Sequence, residues 1–454
     1  MHAPCCRFII YSVVLKSKCL AIGKGEHLDI AIMKPYFYHI SYSDSLLYQC
    51  FRKATDLKKI LLLGGSSYQI SSITKAKELG YYAITCDFLP NNPGHKYANE
   101  YYNVSTTDKE AVLALARKQR VDGILCYASD PGAPTAAYVA EKMGLPGNPY
   151  ESVEILSNKE LFRDFLKSNG FFTPKAKAYS CAVDAKKELS EFRLPVIVKP
   201  IDSSGSKGIT LLREPDKLED QAIEALKHSR AGRFIVEEYI ECDGYQVGGD
   251  GFAVNGKLVY CCFNNQHFEE GAPNPYIPVS ISYPCAKPEQ LQRKIQSEAQ
   301  RLFDLLKIRS GAFDMEFRVT KDGNVYIVEI GARCGGNLRP QMAKYATGVD
   351  IVEYSIKAAM GEDCSDLTMR ETIGLWANYK VNSKTGGRLK ELWIDEGFKS
   401  SNIVESHIYF EPGDEVPQFT GSGGILGIII AKFGNAGEMF DKLRRMDEYV
   451  RVEV

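Results

Sequence analysis

Short apolar segments alternate with amphipathic segments from Lys58 onward, and this alternation constrains the fold more than any other feature of the chain. The run Ile60 to Leu63 is wholly apolar and ends in Gly64-Gly65, which predicts a buried parallel strand that leads into a turn. A helix ending at Gly80, a strand over residues 82–86, a helix ending near Arg117 and a strand over residues 121–126 follow. This order and spacing indicate a doubly wound sheet over residues 58–150.

Local signals refine this prediction at three points. Thr107 with Glu110 and Ser157 with Glu160 match the capping box, so we expect Thr107 and Ser157 to be helix N-caps. The turn after the first strand, Gly64-Gly65-Ser66-Ser67, lacks the GxGxxG pattern. It therefore favours a turn beside a substrate over a dinucleotide site.

Two further boundaries divide the rest of the chain. Pro146-Gly147-Asn148-Pro149 breaks the pattern and marks the end of the first domain. Residues 151–362 then carry a long amphipathic helix near residues 291–306 and two strands joined by the turn Lys321 to Asn324. From about Asp363 to residue 454 short β-like segments dominate, which predicts a β-rich carboxy-terminal portion.

Residues 1–57 contain no periodic element that leads into this pattern. The apolar segment at residues 8–15 follows Arg7 but is far shorter than the roughly 20 residues needed to cross a bilayer. Lys16 and Lys18 then interrupt it. We expect residues 1–57 to be a poorly defined, non-catalytic extension, with Met33 as an alternative start of the protein.

Charge and cysteine usage exclude several classes of protein. The formal net charge is −1 and no block of like charge occurs, so neither nucleic acid nor a membrane surface is an expected partner. The 13 cysteines are scattered, without CxxC or Cys/His ligand spacing, so neither a zinc site nor a redox dithiol is expected. Scattered cysteines of this kind are typical of small core residues in a reducing compartment, which predicts a cytoplasmic location.

Residues suited to phosphate chemistry follow one another between positions 159 and 333. Lys159 lies in the first turn of a predicted helix, and Lys199 closes the apolar strand that begins at Val196. The Ser/Gly-rich segment Asp202 to Ile209 comes next, and its backbone N–H groups and hydroxyls can close over a polyphosphate. Each feature alone is common, since strand-end lysines are usually solvated and Ser/Gly segments are often linkers. Their order is what carries the prediction.

Two glutamates complete the set. Glu316 and Glu329 lie on the two strands of the predicted hairpin. If those strands pair, both carboxylates can point from one face into one site, and such hard oxygen ligands suit Mg²⁺ bridging nucleotide phosphates.

This ordered set resembles the ATP-grasp superfamily over residues 58–454. The resemblance is to the carboxylate–amine ligases such as L-amino acid ligases, and more distantly to biotin carboxylase and the large subunit of carbamoyl phosphate synthetase. It implies a mixed α/β and α+β ATP-grasp fold. A doubly wound pre-ATP-grasp domain would occupy residues 58–150, and a two-lobed ATP-grasp domain with a hinge near residues 237–240 would occupy residues 151–362. Residues 363–454 would form the β-rich carboxy-terminal portion.

The resemblance also implies a role for each residue that matches the family pattern. Arg333 and Lys199 would be the catalytic residues, with Arg333 holding the transferring phosphoryl group or the acyl phosphate. Glu316 and Glu329 would hold Mg²⁺, with Mn²⁺ as the alternative. The ATP contacts would be Lys159, Lys199, Ser203, Ser204, Gly205, Ser206 and Gly208 at the phosphates, and Glu237, Glu238, Tyr239 and Ile240 at the adenine.

The chain departs from the family pattern at two positions. Gly244 stands where the family usually has an acidic ribose contact, so Asp243 or Glu241 would have to replace it. Gly331 stands where the family commonly has a metal-binding asparagine. Asn337 could stand in for that asparagine, although a turn role is the better interpretation.

The roles of two residues near the expected substrate pockets are left open. Arg339 is a weaker candidate for binding a substrate carboxylate through two parallel hydrogen bonds. His267 lies in a segment expected beside a substrate, and we expect it to be an ordinary surface residue and not a catalyst.

The function expected from the resemblance is an ATP-dependent carboxylate–amine ligase that forms an acyl phosphate and releases ADP and phosphate. Its partners would be a small-molecule carboxylate and an amine, and a homodimer is an open alternative to a monomer. A carboxylase-type enzyme that phosphorylates bicarbonate is the enzymatic alternative, against which stands the lack of a second grasp module or a biotin-carrier motif. A catalytically inactive ATP-binding module is the other alternative. Gly244 and Gly331 favour it, while Arg333 and the two glutamates oppose it.

Overall fold

The computed structural model describes residues 57–454. The prediction of a non-catalytic extension over residues 1–57 therefore lies, except for Leu57, outside the described residues. No helix in the described part of the chain is long and apolar enough to cross a membrane. All nine cysteines found there are free, and six of them are buried.

The helices and strands follow one another along the chain as follows. The strands are β1 Lys59–Leu63, β2 Tyr82–Cys86, β3 Glu100–Tyr102, β4 Gly123–Leu125, β5 Ala176–Tyr179, β6 Val196–Pro200, β7 Thr210–Leu212, β8 Phe234–Glu238, β9 Gln246–Val254, β10 Lys257–His267, β11 Ser280–Tyr283, β12 Gly311–Val319, β13 Val325–Gly331, β14 Leu375–Asn382, β15 Gly387–Arg388, β16 Glu391–Ile394, β17 Ile403–Ile408, β18 Glu415–Val416, β19 Ile425–Phe433 and β20 Val450–Glu453. The helices are α1 Ile70–Glu78, α2 Lys109–Gln119, α3 Ala133–Met143, α4 Tyr150–Ser157, α5 Lys159–Ser168, α6 Ala182–Glu188, α7 Leu218–Lys227, α8 Glu289–Leu305, α9 Arg339–Thr347, α10 Ile351–Ala359, α11 Glu396–Ser401, α12 Ala436–Arg444 and α13 Met446–Tyr449.

The first sheet is parallel throughout, in the order β3-β2-β1-β4, which confirms the predicted doubly wound arrangement. Alternate residues of β1 pack into different cores: Ile60 and Leu62 contribute to one hydrophobic cluster, Leu61 and Leu63 to another. Because both faces of β1 are covered, its residues from Ile60 to Leu63 are all apolar.

Both predicted N-caps are displaced by one residue. Asp108 caps α2 by accepting a hydrogen bond from the Ala111 N–H at 3.0 Å, and Asn158 caps α5 in the same way from Glu160 and Leu161. The prediction that Thr107 and Ser157 are N-caps was wrong. In each case the side chain of the following residue, a carboxylate or an amide, accepts from the same N–H groups.

A small antiparallel sheet, β5-β8-β6-β7, packs against α6 and α7 around one hydrophobic cluster. In this lobe β6 pairs with β8, with Ile197 opposite Glu237. The strand that ends in Lys199 therefore lies directly beside the strand that leads into the hinge segment.

The largest sheet has eight strands in the order β13-β12-β9-β10-β11-β14-β19-β17. Helix α8 covers it through buried Ile295, Ala299 and Leu302, as the sequence predicted. The predicted hairpin of β12 and β13 is also confirmed. The sheet continues without a break from β11 into β14 and so crosses the predicted boundary at residue 362.

Candidate functional site

A single cleft of about 440 Å³ lies between the small sheet and the large sheet, and the first domain and the carboxy-terminal strands also line it. The predicted site residues that line this cleft are Lys159, Lys199, Ser203, Ser204, Gly205, Ser206, Glu237, Glu238, Tyr239, Ile240, Glu316, Glu329 and Arg333. Gly208 is the one predicted site residue that does not line the cleft. It faces α7, where an added Cβ would lie 2.8 Å from the His228 ring.

Lys199 belongs to a buried group of three charges. Its Nζ lies 2.8 Å from Glu237 Oε2, and the Nε of Arg163 lies 3.0 Å from Glu237 Oε1. Arg163 also donates to the Val328 carbonyl at 2.8 Å, which ties the small lobe to β13. One carboxylate thus holds two cations in place, and the end of β6 presents a fixed positive charge to the cleft.

The pKa values within this group follow from burial and pairing. Burial alone would raise the pKa of Glu237, but Arg163 and Lys199 outweigh it and lower that pKa to about 2. Burial lowers the pKa of Lys199 to about 8, against the raising effect of Glu237. Lys199 therefore stays largely protonated at neutral pH because Glu237 is ionised beside it.

The Ser/Gly-rich segment is held in place from three sides. Lys159 Nζ donates to the Ser203 carbonyl at 2.8 Å, and Ser206 Oγ donates to the Tyr276 carbonyl at 3.0 Å. Asn274 Nδ2 donates both to the Ser206 carbonyl at 2.8 Å and to the Thr420 carbonyl at 3.0 Å. A buried amide thereby joins the predicted phosphate loop to a loop of the carboxy-terminal portion.

The residues of the predicted hinge differ in what their side chains contact. The Glu238 carboxylate accepts a hydrogen bond from the Arg193 N–H at 2.9 Å, and Arg318 lies over the Tyr239 ring at 4.8 Å. Arg318 also donates to the Ile240 carbonyl at 2.9 Å. Adenine recognition by this segment stays a prediction from the resemblance.

Neither suggested replacement for the ribose contact lines the cleft: Glu241 and Asp243 both lie outside it. Gly244 has a φ of +66°, a conformation that an acidic residue adopts only at a cost. Gln246, two residues later, does reach the cleft.

Glu316 and Glu329 stand directly opposite each other on β12 and β13, so both carboxylates face the cleft as predicted. Gln266 donates to Glu316 at 2.9 Å. The pKa of Glu316 is raised by burial first, and then by the negative charges of Asp314 and Glu329. Such mutual repulsion is relieved when a cation binds between the carboxylates.

This donor set fits a magnesium ion that also binds phosphate. Glu329 makes no ion pair with any residue of the described chain, so its oxygens are available to a ligand. No cluster of three or more metal-binding side chains occurs within residues 57–454. Mg²⁺ would therefore complete its shell with phosphate oxygens and water, as it usually does.

The structure explains why position 331 is a glycine, Gly331, and the sequence did not reveal this reason. A Cβ at this position would lie 2.7 Å from Asp130 Oδ1 and 3.2 Å from Arg333 Nε. Asp130, from the first domain, pairs with Arg333 through two hydrogen bonds of 2.7 and 2.5 Å. The space that an asparagine would need is thus filled by an interdomain ion pair.

A cluster of charges also lines the cleft. Asp314 pairs with both Arg333 and Arg339, and these two arginines outweigh burial and lower its pKa to about 2. Arg339 also lies 3.4 Å from Asp250, while its Nε has no partner among the described residues. Lys380, on β14, lines the cleft beside this cluster.

The structure also shows the surroundings of Asn337 and His267. Asn337 and Leu338 both have left-handed backbone conformations, which supports the turn role for Asn337. His267 is partly buried, and its Nε2 lies 2.8 Å from Ser282 Oγ. Burial lowers the pKa of His267 to about 4. Because His267 is partly buried, the expectation of an ordinary surface residue was wrong. It does not line the cleft, and the expectation that it is not a catalyst stays a prediction.

Sequence reasoning missed several residues that shape the cleft, namely Asp130, Arg163, Gln246, Gln266, Asn274, Asp314 and Lys380. Only Asp314 carried a usable signal, since it precedes Glu316 by two residues on a strand and so shares its face. The others depend on contacts between distant parts of the chain.

Comparison with known proteins identifies the domain that holds the cleft. Residues 192–341 match the family model for the ATP-grasp domain. An uncharacterised protein of Sinorhizobium fredii is 25% identical over 327 residues, 70% of this chain and 66% of that protein. The carbamoyl phosphate synthase large chain of Thermotoga neapolitana is 24% identical over 400 residues. That match covers 82% of this chain but only 35% of the synthase chain, so this chain spans about a third of it.

Solved structures share the fold. The L-amino acid ligase from Bacillus licheniformis has a TM-score of 0.72 at 20% identity, covering 87% of this chain and 98% of that one. The biotin carboxylase domain dimer of the Hydrogenobacter thermophilus 2-oxoglutarate carboxylase, solved with MgADP and bicarbonate, has a TM-score of 0.68 at 18% identity, covering 87% and 90%. The match over residues 192–341 shows that this chain contains an ATP-grasp domain, and the solved structures show that it shares their fold.

Proposed function

We propose that this protein is an ATP-dependent carboxylate–amine ligase that forms an acyl phosphate and releases ADP and phosphate. The observation that carries the proposal is the set of charges that one cleft brings together. The cleft is lined by Lys159 and Lys199, by the Glu316–Glu329 pair, and by Arg333 and Arg339. This set suits the phosphates of a nucleotide, a bridging metal and a bound anionic substrate.

Each part of the cleft has a task in the first half of the reaction. Lys199 and Lys159 would neutralise and orient the phosphates, and the phosphate loop tied by Asn274 would exclude water. A bound Mg²⁺ would neutralise charge on the transferring group. Arg333, held by Asp130 and Asp314, would contact the phosphoryl group as it reaches the substrate carboxylate.

The need for ATP follows from the chemistry of the carboxylate. A carboxylate resists attack by an amine because its anion is delocalised and oxide is a poor leaving group. Transfer of the γ-phosphoryl group to a carboxylate oxygen creates a leaving group and divides one difficult step into two easier ones. The amine would then displace phosphate to form the amide bond.

The relatives support a small-molecule carboxylate and an amine as substrates. The L-amino acid ligase, whose name gives amino acids as its substrates, shares this fold across 98% of its chain, and an amino acid carries both a carboxylate and an amine. Bicarbonate, which the carboxylase structure contains, is the carboxylate of the alternative reaction. That structure is a dimer, and a homodimer is also our proposal for this chain.

The test supplies ATP, Mg²⁺ and mixed amino acids, and measures ADP together with condensed products by mass spectrometry. ADP with a condensed product is expected. AMP with pyrophosphate would contradict the acyl-phosphate route, and ADP formed only with bicarbonate would favour the carboxylase. Absence of any turnover would favour a binding module. Glu329→Gln should be inactive, whereas Glu289→Gln, an exposed control outside the cleft, should match the wild type.

A further inference from the structure

We propose that Lys380 is the general base that takes a proton from the acceptor amine. This inference rests on the proposed ligase function. It assigns a residue to the second half of the reaction, in which the amine attacks the acyl phosphate. Lys380 lies on β14, in the carboxy-terminal portion, yet its side chain lines the cleft beside Arg339 and Asn378. Its side chain is only 4% exposed.

The contacts of Lys380 differ from those of the other buried lysine in the cleft. Lys199 has an ionised carboxylate, Glu237, at 2.8 Å. Lys380 Nζ instead donates to the Pro278 carbonyl and makes no ion pair with any described residue. A neutral lysine can keep that one hydrogen bond and still turn its lone pair towards the cleft. The contacts of Lys380 thus favour an uncharged amine more than those of Lys199 do.

The charges around Lys380 come from two elements. Arg339, on α9, disfavours a second positive charge, while Glu316 and Asp314, on β12, favour it. The neighbours of Lys380 on its two flanking sides, Val279 and Ile428, are uncharged. Burial is the largest influence, and the resulting pKa of Lys380 falls to about 7. A base with a pKa near the working pH is the most effective one.

The proposed step balances as follows. The acceptor enters as an ammonium ion and gives one proton to the Nζ of neutral Lys380. The free nitrogen pair then forms a bond to the carbonyl carbon of the acyl phosphate. The carbon–oxygen bond to phosphate breaks, phosphate leaves with that electron pair, and it takes the second proton from nitrogen. The products are the amide, hydrogen phosphate and protonated Lys380, which returns its proton to solvent.

The test separates this role from the ligase function by changing the nucleophile. Hydroxylamine is largely uncharged at neutral pH and needs no base, so it traps an acyl phosphate as a hydroxamate. We expect Lys380→Met to lose amino-acid-dependent amide formation by roughly 10²–10⁴-fold, the usual effect of a general base. Hydroxamate formation should fall far less. Lys390→Met, an exposed lysine of the same portion, is the matched control.

A second variant and a pH profile distinguish a base from a fixed positive charge. Lys380→Arg keeps the charge but cannot act as a base, so it should fail with amino acids as Lys380→Met does. In the wild type kcat/KM for the amine should rise with pH through about 7, and this rise should be absent in both variants. Normal amide formation by either variant overturns the role of Lys380. Absence of hydroxamate from the wild type with every carboxylate overturns the ligase proposal itself.

Discussion

Replacing Glu237 by glutamine tests the buried charges that hold Lys199. The change keeps the size of the side chain but removes the one negative charge between Arg163 and Lys199. Removing one partner of a buried ion pair typically costs about 3–5 kcal/mol, because an uncompensated charge is left behind. That is a large part of the roughly 5–15 kcal/mol that stabilises most proteins. We therefore expect a much lower urea midpoint for Glu237→Gln.

The same change should alter how ATP affinity depends on pH. With Glu237 in place the pKa of Lys199 is about 8, and the negative charge of Glu237 raises it. Without that charge the pKa of Lys199 should be lower. A charge-assisted contact to phosphate contributes about 1.5–3 kcal/mol, which is roughly ten- to a hundredfold in Kd. ATP affinity in the wild type should weaken as the pH rises through about 8, and in the variant it should weaken at a lower pH.

Equilibrium urea unfolding and isothermal titration with ATP across neutral and alkaline pH measure both effects. Glu188→Gln is the matched control, since Glu188 pairs with Lys177 in the same lobe but at the surface. Such surface pairs contribute little to stability, because solvent and salt screen them. If Glu237→Gln unfolds at the wild-type midpoint and binds ATP with the same pH profile, Glu237 does not hold the charge of Lys199 in place.

Three further changes test other parts of the cleft. Gly331→Asn should lower both turnover and the thermal unfolding midpoint because its Cβ would lie 2.7 Å from Asp130 Oδ1, and adding Asp130→Ala should restore part of the midpoint but not the turnover. Glu329→Gln should abolish turnover at limiting Mg²⁺ while leaving the unfolding midpoint nearly unchanged, and normal activity in a Mg²⁺ titration would remove Glu329 from the metal site. Asn274→Ala should raise the KM for ATP and increase ADP release in the absence of amine, since it frees Ser206 from the carboxy-terminal loop. If ADP release remained as tightly coupled to product formation as in the wild type, the proposed link between Ser206 and the carboxy-terminal loop would be contradicted.

Features that depend on local pattern could be predicted from the sequence. The apolar run at Ile60 to Leu63 predicted a buried parallel strand, and the turn at residues 321–324 predicted the hairpin that carries Glu316 and Glu329. The N-cap predictions failed by one residue because Asp108 and Asn158 compete with their neighbours for the same N–H groups. Patterns of this kind specify an element well and its first residue poorly.

Residues whose roles depend on tertiary contacts could not be predicted in this way. Asp130 and Arg333 are 203 positions apart, so no window of sequence shows that one fills the space beside the other. Lys380 lies in a β-rich segment with no phosphate-binding pattern, and only its position in the large sheet brings it to the cleft. Gly331 looked like the loss of a ligand until the position of Asp130 was known.

The unbroken hydrogen bonding from β11 to β14 has a consequence for protein engineering. A chimaera that exchanged residues 363–454 for those of a relative would have to re-form a sheet junction in register, with Ser280 opposite residue 379. A truncation at the same point would leave β11 as an exposed edge, and exposed edges promote aggregation. Exchange or removal of the carboxy-terminal segment would therefore disturb the large sheet itself, whereas single substitutions within β14 leave this junction in place.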